Sequence, residues 1–201
     1  MIWLVLAYPL LTHAAVWLRE PRLQWPALTA LVAVALFDAL KKSRTWAWVT
    51  LVVVSGALFL IVNFGGGLYV LYIPPILLPA ALLTLFARSL RRDSVALITR
   101  FAAAMRNTTP DALPLGLASY TRAVTVVWVV TLAGLMASAS WAALFASPQI
   151  WSWLTNVVHY AIMGLLFLGE YVLRRLKFRE LDHPGFIGYI RQLIATRIHT
   201  V

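Results

Sequence analysis

Six uninterrupted apolar blocks dominate the chain, at about 1–18, 26–40, 45–62, 68–87, 123–146 and 150–173. Crossing the roughly 30 Å hydrocarbon core of a bilayer takes about 20 apolar residues in a helix. Within that core only helices and closed barrels satisfy their own backbone hydrogen bonds. The blocks lack the alternation of barrel strands, so the predicted fold is all-α: one polytopic helical membrane domain over 1–201, with about six transmembrane helices. The second block is the weakest. It runs only from Pro26 to Leu40 and contains Asp38, so it crosses only if Trp25 and the Lys41 stem reach the interfaces or the bilayer thins. Met1–Leu18 has no basic leader and no small-residue cleavage site before Arg19, and reads as a retained first span.

Composition agrees with the blocks. The chain is 62% hydrophobic and 12% charged, with mean hydropathy +0.83. A soluble domain is roughly 45–50% apolar and about 25% charged, and could not bury this much apolar surface. The net charge of +10, from 17 Lys and Arg against 7 Asp and Glu, raises the question of nucleic acid. Its distribution answers it, because the cations lie between the apolar blocks and no nucleic-acid motif accompanies them. With the N-terminus inside, the segments 41–44, 88–122 and 174–201 place fifteen cations in the cytoplasm and leave two outside, at 19–25. The positive-inside rule therefore gives both termini cytoplasmic. Tryptophans mark the same ends: Trp17, Trp25, Trp141, Trp151 and Trp153 as an outer belt, Trp3, Trp46, Trp48 and Trp128 as an inner one. Absence of cysteine excludes disulfides, thiolate zinc sites and a cysteine nucleophile.

Two cytoplasmic segments have helical periodicity of their own. After Asp93 or Ser94 as N-cap, Val95, Ile98, Phe101, Ala102 and Met105 form a stripe, with Arg100 and Arg106 off it. In the tail, Pro184 opens a stripe of Phe186, Ile190, Leu193 and Ile194, with Arg191 and Arg197 off it. Both suit helices lying in the headgroup region.

Ionisable side chains within the spans are the candidate functional residues, because a charge in hydrocarbon costs kilocalories. They are His13, Asp38, His159 and Glu170. Asp38 precedes Lys41 and Lys42, and Glu170 precedes Arg174 by one turn, so both carboxylates have partners for interfacial ion pairs. His159 lies deeper, with Asn156 one turn away and Glu170 about 16 Å along nearly the same face. Asn156 and His159 either bind a polar group or relay a proton, or they form an interhelical packing bond. His13 could meet His159, but two histidines without an acidic third ligand do not make a metal site. No metal or cofactor is expected.

Pro74, Pro75 and Pro79 should break the fourth span, as in the discontinuous helices of transporters or as simple kinks. Gly134, Ser138 and Ala142, spaced by four, suit close helix packing. The lipase elbow, the phosphate-binding loop and the two-histidine zinc motif are all absent, and Gly65-Gly66-Gly67 lacks the lysine a nucleotide loop needs. No catalytic residue is assigned.

Tyr72-Ile73-Pro74-Pro75, Leu97-Ile98-Thr99-Arg100-Phe101, Tyr120-Thr121-Arg122 with Trp128, and Asn156 through Gly169-Glu170-Tyr171 with Arg174-Arg175 together resemble an uncharacterised family of small bacterial inner-membrane proteins. The likeness runs from about Tyr72 to Phe186. It implies a setting beside acyl-carrier-protein, ketosynthase and acyltransferase genes for aryl-polyene or related fatty-acyl products, and carries over no catalytic residue. The expected function is an accessory role in assembling or delivering a lipid-like acyl product. The alternatives are a small transporter or flippase, and a membrane acyltransferase with a diffuse site around His159. Expected partners are the bilayer and an acidic acyl carrier protein or anionic headgroups at Arg100 and Arg106, with no nucleic acid.

Overall fold

The structure, a computed structural model, describes residues 2–180, and side chains from residue 6 onward. The predicted tail helix at Pro184–Ile194 lies outside the described residues. Those residues form helices and no strand: α1 (Ile2–Trp17), α2 (Gln24–Ala35), α3 (Phe37–Lys41), α4 (Thr45–Asn63), α5 (Gly67–Tyr72), α6 (Pro74–Ser89), α7 (Leu97–Met105), α8 (Leu117–Phe145), α9 (Pro148–Trp153) and α10 (His159–Lys177). A π-helical turn, Leu154–Val158, joins α9 to α10.

Among the described residues, four stretches are long and apolar enough to cross a membrane: Thr45–Asn63, Gly67–Ser89, Leu117–Phe145 and Pro148–Lys177. The first two predicted spans are shorter. The 16 residues of α1 rise about 24 Å and the 12 of α2 about 18 Å, against a core of roughly 30 Å. The second predicted span is also interrupted at Leu36, after which α3 carries Asp38. At the fifth span the helix starts at Leu117, not near 123, because Thr121 is fully buried and its hydroxyl bonds the Leu117 carbonyl at 2.9 Å. Polar character had marked Tyr120-Thr121-Arg122 as loop.

The chain divides into two compact units, whose boundaries fall inside the long helices. One takes the residues up to Leu77 with Met136–Ala161. Its core gathers Tyr8, Val16, Ala27, Leu28, Leu58, Leu71, Ala142 and Trp151. Here α4 ends in a left-handed turn that requires Gly65, at φ +82°, with the Gly66 N–H returning 2.8 Å to the Ile61 carbonyl. A Cβ on Gly67 would overlap the Gln24 carboxamide oxygen and meet Val62 Cγ2 at 2.9 Å, so the glycines serve a helix stop and a close approach.

The proline break at Ile73 has a specific repair. Pro74 and Pro75 have no N–H for the carbonyls of Val70 and Leu71. Val70 O accepts instead from the Ile73 N–H at 3.2 Å, and Leu71 O accepts from the buried Tyr8 hydroxyl at 3.1 Å. Tyr8→Phe should therefore cost about 1–3 kcal/mol, the penalty of an orphaned buried carbonyl. In a Pro75→Ala background, where an N–H can return to Leu71 O, the same change should cost at most about 1 kcal/mol. Equal costs in both backgrounds, measured by denaturation in mixed micelles, would disprove the repair.

The other unit takes Leu78–Leu135 and the described residues from Ile162 onward. Trp128 is buried between Phe86 and Phe167, with ring centroids 5.6 and 4.8 Å away. The helix start assigned to Asp93 or Ser94 falls at Ala96, which has no capping side chain. Neighbouring helices supply the caps: Ser89 Oγ accepts the Leu97 N–H at 3.0 Å, and Thr125 Oγ1 accepts the Ile98 N–H at 3.4 Å. Thr99 and Thr121 hydroxyls add a bond at 2.8 Å, so α7 is seated on α6 and α8 through a row of hydroxyls.

Two predicted belt tryptophans are core residues instead. Trp151 is fully buried against Tyr72, and Trp128 is 6% exposed, whereas Trp17, Trp25, Trp46, Trp48, Trp141 and Trp153 are exposed as a belt requires. Trp25 also donates to the Ser55 carbonyl at 3.0 Å, which ties α2 to α4. The predicted packing stripe shifts as well. Gly134 is exposed with open space about it, and the buried row on α8 is Leu132, Leu135, Ala139 and Ala142.

Candidate functional site

The second unit contains a cavity of about 290 Å³. From α6 it is lined by Leu82, Leu85 and Phe86, and from α7 by Leu97, Ile98, Phe101, Ala102 and Met105. Trp128 of α8 and Met163 and Phe167 of α10 complete the apolar wall. One charged pair, Glu170 and Arg174, also lines it. The volume is close to the lower bound of roughly 300 Å³ for small-molecule sites, and the cavity opens to the surface at Leu82 and Leu85, which are exposed.

Local sequence accounts for the wall. The periodicity read from Ile98, Phe101, Ala102 and Met105 does turn one face of α7 inward, and this face lines the cavity. Val95, taken as part of the same stripe, is exposed because it precedes the helix. Glu170 and Arg174 are one turn apart on α10, as the sequence indicates, with Oε1 and Nε 3.4 Å apart. Their side chains are 6% and 14% exposed, so the expected ion pair forms and is buried within the protein. The Tyr120 hydroxyl donates to the Glu170 backbone carbonyl at 3.3 Å, and Lys177 lies over the Tyr120 ring at 5.3 Å. Tyr120 was missed as a neighbour of the site because fifty residues separate it from Glu170.

The other predicted residues fall elsewhere. Arg100 is half-buried and its Nε donates to the Val95 carbonyl at 2.9 Å, while Arg106 is exposed at the end of α7. Asp38 is exposed; the ion pairs among the described residues are Glu20 with Arg22 and Glu170 with Arg174, so Lys41 and Lys42 do not hold it.

In the first unit, Asn156 and His159 turn to different partners. Asn156 Nδ2 donates to the Ser152 carbonyl at 3.0 Å from within the π-helical turn. His159 Nε2 lies 3.0 Å from Ser138 Oγ, and the imidazole is buried. His13 Nδ1 meets Ser152 Oγ at 3.1 Å, so the two histidines have separate partners. Among the described residues no group of three His, Cys, Asp or Glu side chains could hold a metal ion. The two histidine contacts provide interhelical hydrogen bonding, and one of them sets a serine and a histidine at the spacing a nucleophile and its base require.

No family model, curated protein or solved structure matches the chain.

Proposed function

We propose that the chain is a six-span protein of the bacterial inner membrane, with both termini cytoplasmic, that holds an acyl chain while a lipid-like product is assembled or delivered. The observation that carries this reading is the cavity walled by α6, α7, α8 and α10, apolar except for Glu170 and Arg174. Such a lining favours a hydrocarbon chain with one polar end, since each buried methylene contributes about 0.8 kcal/mol. In the proposed topology the cavity lies at the cytoplasmic ends of three spans, near Arg88, Arg91, Arg92 and Arg106, all exposed. These cations suit an acidic acyl carrier protein or anionic headgroups.

Reporters fused after Arg106 and Val201 should read cytoplasmic, and one at Gly66 periplasmic; a periplasmic reading after Val201 would end the six-span proposal. For the function itself, the acyl-product profile of cells with and without the gene is the test. One acyl product should fall or be mislocalised while bulk phospholipid stays constant, and Arg100→Glu with Arg106→Glu should reproduce much of that loss. Identical profiles would count against the role.

The Ser138 and His159 contact favours a second reading, acyl transfer through an activated serine. His159→Gln separates the two. Glutamine places an amide nitrogen near the imidazole Nε2 and keeps the bond to Ser138, but cannot act as a base, whereas asparagine is too short for that bond. His159→Gln should leave stability within about 1 kcal/mol and keep the cellular phenotype, whereas His159→Ala costs about 1–2 kcal/mol. A stable His159→Gln protein with the phenotype abolished would establish acyl transfer instead.

A further inference from the structure

We infer that the cavity is entered sideways from the bilayer, by an acyl chain of an anionic phospholipid whose phosphate rests on the arginines between α6 and α7. This rests on the acyl-chain reading and the topology above, and adds where the chain comes from and what head it carries.

The position of the mouth carries the source. Of the residues that line the cavity, Leu82 and Leu85 are the exposed ones, at 40% and 51%, and the others are buried or half-buried. Both lie in the last two turns of α6, on the stretch Gly67–Ser89 that is long and apolar enough to cross a membrane. The mouth therefore faces lipid chains and not water. Leu78, one turn before Leu82 on the same face, is 55% exposed, so apolar surface runs from the side of the helix into the cavity.

The head follows from what stands just beyond the mouth. Arg88 comes one turn after Leu85, about 5 Å along the axis, and Arg91 and Arg92 follow; all three are exposed. Arg122 of α8 donates from Nη2 to the Leu90 carbonyl at 2.9 Å, which adds a fourth guanidinium to the same turn. Asp93 is the only carboxylate between Arg88 and Ala96. A phospholipid joins its phosphate to its chains through a short glycerol linker, so a head on these arginines sets the first methylenes at the depth of Leu85 and Leu82. Each such cation favours an anionic surface by roughly fivefold. A zwitterionic head offsets that attraction with its own ammonium.

The test is photolabelling of the full chain in nanodiscs of phosphatidylcholine. One phospholipid with a diazirine on its acyl chain is added at fixed mole fraction, with either a phosphatidylglycerol or a phosphatidylcholine head. The phosphatidylglycerol probe should label Phe101 and Phe167 of the wall at least about tenfold more than the phosphatidylcholine probe, while exposed Leu78 and Val130 are labelled alike by both. Raising the salt should shrink the preference. Arg91→Gln with Arg92→Gln should cut it to about threefold or less, with Arg88 left to hold the span and a reporter after Arg106 still cytoplasmic. A third probe presents the same diazirine chain from water, as a thioester on an acidic acyl carrier protein, and should leave the wall unlabelled. Equal wall labelling by the two phospholipids, or a preference unchanged in the arginine variant, would overturn this inference and leave the acyl-chain reading standing. So would a wall labelled more strongly from the carrier protein than from the bilayer. A wall labelled by none of the three probes would overturn both.

Discussion

Arg174→Ala is expected to destabilise the protein by about 3–5 kcal/mol, because it removes the guanidinium 3.4 Å from the Glu170 carboxylate, whose side chain is 6% exposed. Changing both residues to glutamine should cost much less, since two neutral amides can still bond one turn apart and neither charge then has to be buried. The comparison removes the ambiguity of a single variant, in which the lost attraction and the stranded charge cannot be separated. Reversible unfolding in mixed micelles gives both numbers. A cost below about 1 kcal/mol for Arg174→Ala would mean that Arg174 contributes little to holding the Glu170 charge.

The second large effect is on ligand binding. Ala102 is 6% exposed and lines the cavity from α7, so Ala102→Trp should place an indole in the space the chain would occupy. Excluding even four methylenes at about 0.8 kcal/mol each corresponds to at least about a hundredfold loss in affinity for a decyl chain. Met163→Trp, from α10, should do the same independently. Both variants should keep the wild-type melting temperature within a few degrees. Normal binding by two stable, plugged proteins would place the chain elsewhere.

How much of this could be read from the sequence depended on the range of the interaction responsible. The Glu170 and Arg174 pair was legible because one helical turn joins its members, and the break at Ile73 because proline lacks an N–H. The inward face of α7 was legible for the same local reason. Its hydroxyl caps were not, since Ser89 and Thr125 lie on other helices and replace the Asp93 or Ser94 cap expected from proximity. Trp128 and Trp151 were misplaced because belt and core tryptophans look alike until their neighbours, Phe86, Phe167 and Tyr72, are known. The repair of Leu71 by Tyr8 spans 63 residues, and the cavity draws its wall from residues between Leu82 and Arg174. Neither leaves a periodic trace in the chain.

Photolabelling tests chain binding in the cavity most directly. A decanamide carrying a diazirine at the far end of its chain is equilibrated with the protein in nanodiscs, irradiated, and its adducts are located by peptide mass spectrometry. Adducts are expected on the cavity wall, at Phe101 and Met105 of α7 and Met163 and Phe167 of α10, and excess unlabelled decanamide should abolish them. Adducts spread over exposed apolar positions such as Leu77, Val130 and Leu165, undiminished by competitor, would show only partition into lipid and contradict a chain held in the cavity.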